Sequence, residues 1–447
     1  MRKVIYNGLI INEQKEFVGY IIIDNNIITS VVEGNPDETI LNSAAQGINA
    51  QGCWVIPGVI DDQVHFREPG LTHKADIATE SRAAIVGGVT SYMDMPNTQP
   101  ATVTTEALEW KQQQAAATSL ANYSFYIGAT NDNAPLITSL DYTHVCGIKL
   151  FMGSSTGNML VDSKATLEKI FAEAPVLIAT HCEQEEVIQA NKAKYTNIFG
   201  DNLPIYFHSM IRSAEACYRS SATAVELASR YNTRLHLLHL STERELSLLE
   251  DAPLQEKRIT GEVCVHHLWF DDNDYAQYGN RIKWNPAIKT CADRRALINA
   301  TASQRIDVVA TDHAPHLLNE KQGSCLKAAS GGPLVQFSLQ AMLELAQRGH
   351  FTRTKVVEKM CHAPATLFGI DRRGYIRKGY FADITIIDPN KPYTVTSDKI
   401  VSRCKWSPFE GHTFPHSITH TIVNGNVAFE NGNINENCRG ELLTFIR

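Results

Sequence analysis

Apolar and polar positions alternate in short runs at the two ends of the chain and fall into longer blocks between them. From Met1 to about Trp54 the runs "KVIYNGLII", "FVGYIIIDNNIITSVV" and "GCWVIPG" are rich in β-branched residues and broken by an Asp-Asn-Asn turn. That pattern predicts strands joined as hairpins. The texture returns late, in "GYIRKGYFADITIID" and "ITHTIVNGNVAFENG", where Asn424-Gly425 supplies a second hairpin turn. Two strand-rich ends around a different middle predict one small sheet module assembled from both termini.

In the middle, apolar strands alternate with helical stretches, the pattern of a parallel α/β architecture. Strand candidates are "VIPGVIDDQVH", "TSYMDMP", "YSFYIGAT", "GIKLFMG", "PVLIATHCE", "LHLLHLS", "ITGEVCVHH" and "IDVVATDHAPH". Eight is the number a TIM (β/α)8 barrel requires. The expected division is 1–56 for the first part of the terminal module, 57–370 for the barrel and 371–447 for the rest of the module. Five strands end in groups able to bind a metal: His65, Lys149, His181, His239 and Asp312. Barrel strands converge on one mouth at their carboxyl ends, so the shared placement points to a metal site more than five unrelated structural residues would.

The stretch "VIPGVIDDQVHFREPG" sharpens this expectation. Alternation along a strand would put Asp61, Gln63, His65 and Arg67 on one face. Four polar groups on one face need a shared partner, which solvent, a metal or an anionic ligand could supply.

Composition narrows the partners. Over 447 residues the formal net charge is -7, with Lys and Arg dispersed, which leaves no basic surplus for nucleic acid. No run approaches the roughly 18 apolar residues of a membrane span, and the start lacks a signal-peptide pattern. Ten cysteines without a C-x-x-C pair argue against a zinc ribbon or a dense disulfide framework, and a reducing cytoplasm is the expected compartment.

Taken in order, "IPGVIDDQVHFREPG", "DMPNTQP", "GIKLFMG", "THCE", "LLHLST", "GEVCVHHL", "KWNPAIK", "ATDHAPH", "ADITIID" and "SPFEG" resemble the amidohydrolase superfamily, and within it the dihydroorotases. The resemblance implies a barrel flanked by a composite β-sandwich from both termini. It implies one or two Zn²⁺ held by His65, Lys149, His181, His239 and Asp312, with Lys149 as a carbamate, since an ammonium cannot ligate but a carbamate oxygen can. Asp312 would shuttle the proton from water to the leaving nitrogen. Arg67, Asn97 and His316 would clamp the substrate carboxylate, with Asn285 and the loop Ser330 to Gln336 as further contacts. His313 would support Asp312, and His266-His267 either orients a ligand or is structural.

One position departs from the family. Gln63 stands where the first histidine of the H-x-H motif belongs, and a neutral amide is a weaker zinc donor than imidazole. Two metals with a poor ligand, a single metal, or an inactive relative all remain open. The expected substrate pair is dihydroorotate and N-carbamoyl-aspartate. The alternatives are allantoinase or another cyclic amidase, and a silent subunit that binds aspartate transcarbamoylase. A homo-oligomer is left open.

Overall fold

The computed structural model describes residues 1–153 and 159–447. Among these, eight parallel strands form one sheet: β6 (Val59–Val64), β7 (Val89–Asp94), β8 (Asn122–Gly128), β9 (Val145–Phe151), β10 (Ile178–His181), β11 (Leu235–Leu237), β12 (Ile259–Cys264) and β13 (Val308–Ala310). A parallel bridge between Val64 and His313, with His65 N–H donating to His313 O at 2.7 Å, joins first to last and closes the ring. All eight stretches expected to be barrel strands contribute one.

Helices run between the strands. Those at Ile77–Val86, Thr105–Thr118, Lys164–Glu173, Ala214–Tyr231 and Cys291–Ala302 each begin at a side-chain oxygen, on Asp76, Thr104, Ser163, Ser213 and Thr290, that accepts a first-turn N–H. Such caps satisfy a backbone donor that the helix itself leaves open. Val59, Val89, Ile148, Leu235 and Val263 face this helical layer in the main core.

The first expected strand splits in two. Trp54–Pro57 is β5 of the terminal module, and the chain passes into the barrel at Gly58, where a Cβ would stand 2.0 Å from Thr90 Oγ1. Only glycine fits so close an approach.

The terminal module comprises β1 (Arg2–Asn12), β2 (Lys15–Asp24), β3 (Ile27–Glu33), β4 (Gln46–Asn49), β5, β14 (Ile384–Asp388), β17 (Ser417–Val423), β18 (Asn426–Glu430) and β19 (Asn433–Ile434). A separate short pair, β15 (Tyr393–Thr394) and β16 (Thr413–Phe414), lies between β14 and β17 in sequence. The two halves meet where β14 runs antiparallel to β5, pairing Ile384 with Pro57 and Ile386 with Val55. Ile5, Ile10, Ile21, Ile23, Ile384 and Ile386 then pack in one core, so neither half buries its apolar face alone. Asn424 and Gly425 have φ of 50° and 73°, the left-handed pair that a two-residue hairpin turn requires.

At the amino ends of the barrel strands, Ile60, Leu177 and Val308 pack against the helix Ala363–Phe368 and against Leu443 and Phe445 from the C-terminal segment. No helix among the described residues is long and apolar enough to cross a membrane.

Candidate active site

Strand β6 supplies the first polar groups of the mouth, and it does so irregularly. Its register against β7 shifts between Asp61 and Val64. A bulge of this kind lets consecutive residues point the same way. Asp62 thereby lies against His236 and Glu262, while Gln63 reaches Asp312 and Cys264.

The shared face expected for Asp61, Gln63, His65 and Arg67 therefore holds for three of them. Asp61 turns aside: its carboxylate accepts from Thr311 Oγ1 at 2.6 Å and from Gln63 N–H at 3.2 Å, tying β6 to the end of β13. Arg67 lies past the strand, which ends at Val64, and reaches the mouth through a left-handed backbone with φ of 66° instead of by alternation.

All nine residues singled out from sequence, His65, Arg67, Asn97, Lys149, His181, His239, Asn285, Asp312 and His316, line a single cavity of about 440 Å³ at the carboxyl ends of the strands. His239 and Asp312 also have positive φ, 39° and 47°. Both sit just past short strands, and the left-handed kink turns each side chain into the mouth. Non-glycine residues held at positive φ beside a cavity are often part of a functional site.

The donor set fits a metal. His181 Nδ1 and His239 Nε2 converge to 3.0 Å, and His239 Nδ1 has no hydrogen-bond partner among the described residues. His65 Nδ1 lies 2.8 Å from Asn97 Oδ1, an acceptor, so a proton sits there, and Nε2 faces Asp312 Oδ1 at 3.1 Å. A metal ion or an Nε2 proton between the two would satisfy both. Lys149 is buried in the same corner, and burial lowers its pKa to about 8. Its amine is thus far more often neutral near pH 7 than that of a surface lysine, which reaction with carbon dioxide requires.

Gln63 points its Nε2 at Asp312 Oδ1, 3.2 Å away, and its oxygen toward Cys264 Sγ at 3.8 Å. It acts here as a donor to Asp312. Glu183, beside His181 at 3.1 Å, contacts the Arg212 guanidinium. Burial alone would raise its carboxyl, but Arg212 and His181 outweigh it and hold the pKa at about 2.

The rim nearest Arg67 is cationic. Arg67 Nε donates to Pro315 O at 3.1 Å and Nη2 to His316 Nε2 at 3.0 Å. Lys74 Nζ stands 3.2 Å from His316 Nδ1 and pairs with Glu320 at 2.8 Å. A neutral imidazole accepts at one nitrogen only, so the two cations compete for it. Burial, then Arg67 and Lys74, hold His316 uncharged, with its pKa far below the usual range. Asn285 faces the same space with a buried Oδ1 that lacks a hydrogen-bond partner among the described residues.

Three histidines depart from expectation or resolve it. His313 turns away from Asp312: Nε2 lies 2.8 Å from Glu80 Oε2, and Nδ1 accepts from the N–H groups of Leu334 and Val335. It secures the Ser330 to Gln336 loop, whose Ser330 and Gly331 line the cavity. His266 and His267 lie on a short helix, Val265–Trp269, where His266 stacks on Trp284 and His267 Nε2 lies 3.2 Å from Pro286 O. Sequence reasoning passed over Lys74, although it follows "REPGLTH" closely, and the Asp62, His236 and Glu262 group, which assembles only when three strands come together.

Residues 54–428 match the model of the Amidohydrolase family. A dihydroorotase of Halobacterium salinarum is 33% identical over 84% of this chain and 86% of its own length. An allantoinase of Bacillus velezensis is 30% identical over 91% of this chain and 89% of its own. Among solved structures, an L-hydantoinase (dihydropyrimidinase) from Arthrobacter aurescens superposes with a TM-score of 0.92 at 25% identity, covering 99% of both chains.

Proposed function

Because the chain belongs to the amidohydrolase family, we propose that it is a dihydroorotase, which opens the cyclic amide of dihydroorotate to N-carbamoyl-aspartate and closes it again, in the cytoplasm. The observation that carries this choice is Arg67. Its guanidinium is buried at 8% exposure beside the cavity, and no carboxylate among the described residues lies within ion-pairing distance. A buried cation without a counter-ion is costly. Dihydroorotate brings a carboxylate to that corner, whereas allantoin and simple hydantoin rings are neutral and would leave the charge uncompensated.

Arg67 offers two N–H groups in a planar fork suited to a carboxylate. His316 and Lys74 hold its flank, while Asn97 and Asn285 border the ring. A dication, zinc by the chemistry of the donor set, would be held by Lys149 as its carbamate, His181, His239, His65 and Asp312, and when bound would polarise the amide carbonyl and make water acidic. Asp312 takes the proton that the attacking water gives up and returns it to the departing ring nitrogen. Gln63 N–H holds Asp312 Oδ1 in place for both transfers.

The test is ring opening of dihydroorotate, allantoin and hydantoin by the zinc-replete protein, with N-carbamoyl-aspartate supplied for the reverse direction. Dihydroorotate should be turned over in both directions and the neutral rings at least tenfold more slowly. Preference for allantoin would replace this reading with the alternative amidase. Turnover of none of them would favour a silent subunit.

A further inference from the structure

Below the cavity floor, three side chains that the proposed reaction does not use face one another: Asp62 on β6, His236 on β11 and Glu262 on β12. All three are fully buried. His236 Nδ1 lies 2.8 Å from Thr260 Oγ1, whose own hydrogen goes to Leu235 O at 3.2 Å. The hydroxyl therefore accepts from the imidazole and the Nδ1 proton is committed, so Nε2 is the nitrogen that faces the two carboxylates. Both oxygens of Asp62, Oε2 of Glu262 and Nε2 of His236 have no hydrogen-bond partner among the described residues.

The spacing is that of ligands around an ion. Asp62 Oδ2 and Glu262 Oε2 lie 3.4 and 3.8 Å from His236 Nε2. A charge-assisted N–H···O contact would close to about 2.7–2.9 Å. Two atoms each about 2.0–2.2 Å from a shared ion, at a tetrahedral angle, stand about 3.3–3.6 Å apart. One ligand atom from each residue falls within 4.8 Å of the other two. The cluster is shut off from solvent, and the Phe368 ring stands near-perpendicular to His236 with centroids 6.0 Å apart. Two carboxylates in such a place need positive charge.

We propose that Asp62, His236 and Glu262 form a second, structural dication site inside the barrel, separate from the ligands of the cavity. One nitrogen and two carboxylates suit Zn²⁺ or Mn²⁺. Strands β13 and β12 separate β6 from β11 around the closed ring, so the ion would tie strands that do not neighbour one another. Glu262 Oε1 accepts from His239 N–H at 3.0 Å, which couples the ion to the kinked backbone of a cavity residue. An enclosed ion would enter as the chain folds and would resist chelators.

The experiment compares wild type with Asp62→Asn and His236→Gln, all produced in zinc-supplemented medium and dialysed against dipicolinate to strip the cavity. Metal per chain is then measured, and wild-type crystals are examined for anomalous scattering on both sides of the zinc edge. Wild type should retain one chelator-resistant zinc per chain, absent from both variants, with an anomalous peak among the three side chains. If the variants do not fold, the wild-type crystal decides alone. No peak at the cluster would mean that a proton fills it, and resistant zinc equal in wild type and folded variants would place that metal elsewhere; either result overturns the proposal.

Discussion

At the amino ends of the barrel strands, Ile60, Leu177 and Val308 pack in one apolar cluster with Phe368, Leu443 and Phe445. At the carboxyl ends of the same strands stand His65, Lys149, His181, His239 and Asp312 around an open cavity. Arg67, His239 and Asp312, all at the mouth, have positive φ, as does Asn232 before the amino end of β11. Close packing at one end holds the strands in place, and the other end can then carry buried charge and strained backbone that would not stabilise a fold by themselves. Stability and chemistry are separated along the barrel axis.

The sharpest test of that division is Asp312→Asn, which keeps shape and an oxygen but cannot accept a proton. Turnover of dihydroorotate should fall by about 10²–10⁴-fold, with the unfolding midpoint little changed. Substantial residual turnover would remove Asp312 from the proton transfer. Phe368→Ala acts on the opposite end. Truncating this fully buried ring should cost about 3–5 kcal/mol in denaturant unfolding, while kcat stays near wild type under folding conditions. A large loss of kcat in folded protein would show that the two ends are not independent.

The buried charges near the mouth should also set the acid limit. Glu183 titrates at about 2 when folded, against 4.5 as the ordinary value, so the stability it contributes is complete above about pH 4.5 and is lost as pH falls toward 2. Acid titration of unfolding should show wild type losing about 3 kcal/mol more than Glu183→Gln across that window. Parallel curves would mean that Glu183 is not held down by Arg212. The smallest effect is expected from Arg67→Ala, which removes a charged contact worth about 1.5–3 kcal/mol and should weaken dihydroorotate binding roughly ten- to hundredfold. Its unfolding midpoint should change little, because among the described residues the guanidinium has no ion-pair partner to lose and its removal relieves a buried charge. Unchanged binding would break the clamp assignment.

The alternation of apolar and polar positions by itself determined the eight barrel strands, the hairpins at both ends and the turn at Asn424-Gly425. These are local matters, set by side-chain period and by which residues tolerate positive φ. The placement of His65, Lys149, His181, His239 and Asp312 was legible too, because parallel strands leave their carboxyl ends together whatever the loops do. Tertiary structure alone decided the break at Gly58 between two sheets, since only the approach of Thr90 distinguishes it from a continuing strand. It also decided that His313 serves a loop instead of Asp312, through Glu80, 233 residues away in sequence. Asp62 and Gln63 could not both be read as inward-facing, because strict alternation forbids it and only the shifted register against β7 permits it. His236 and Glu262 look like ordinary strand residues until the ring closes and brings them to Asp62, for burial and charge are properties of the assembled barrel and not of any one strand.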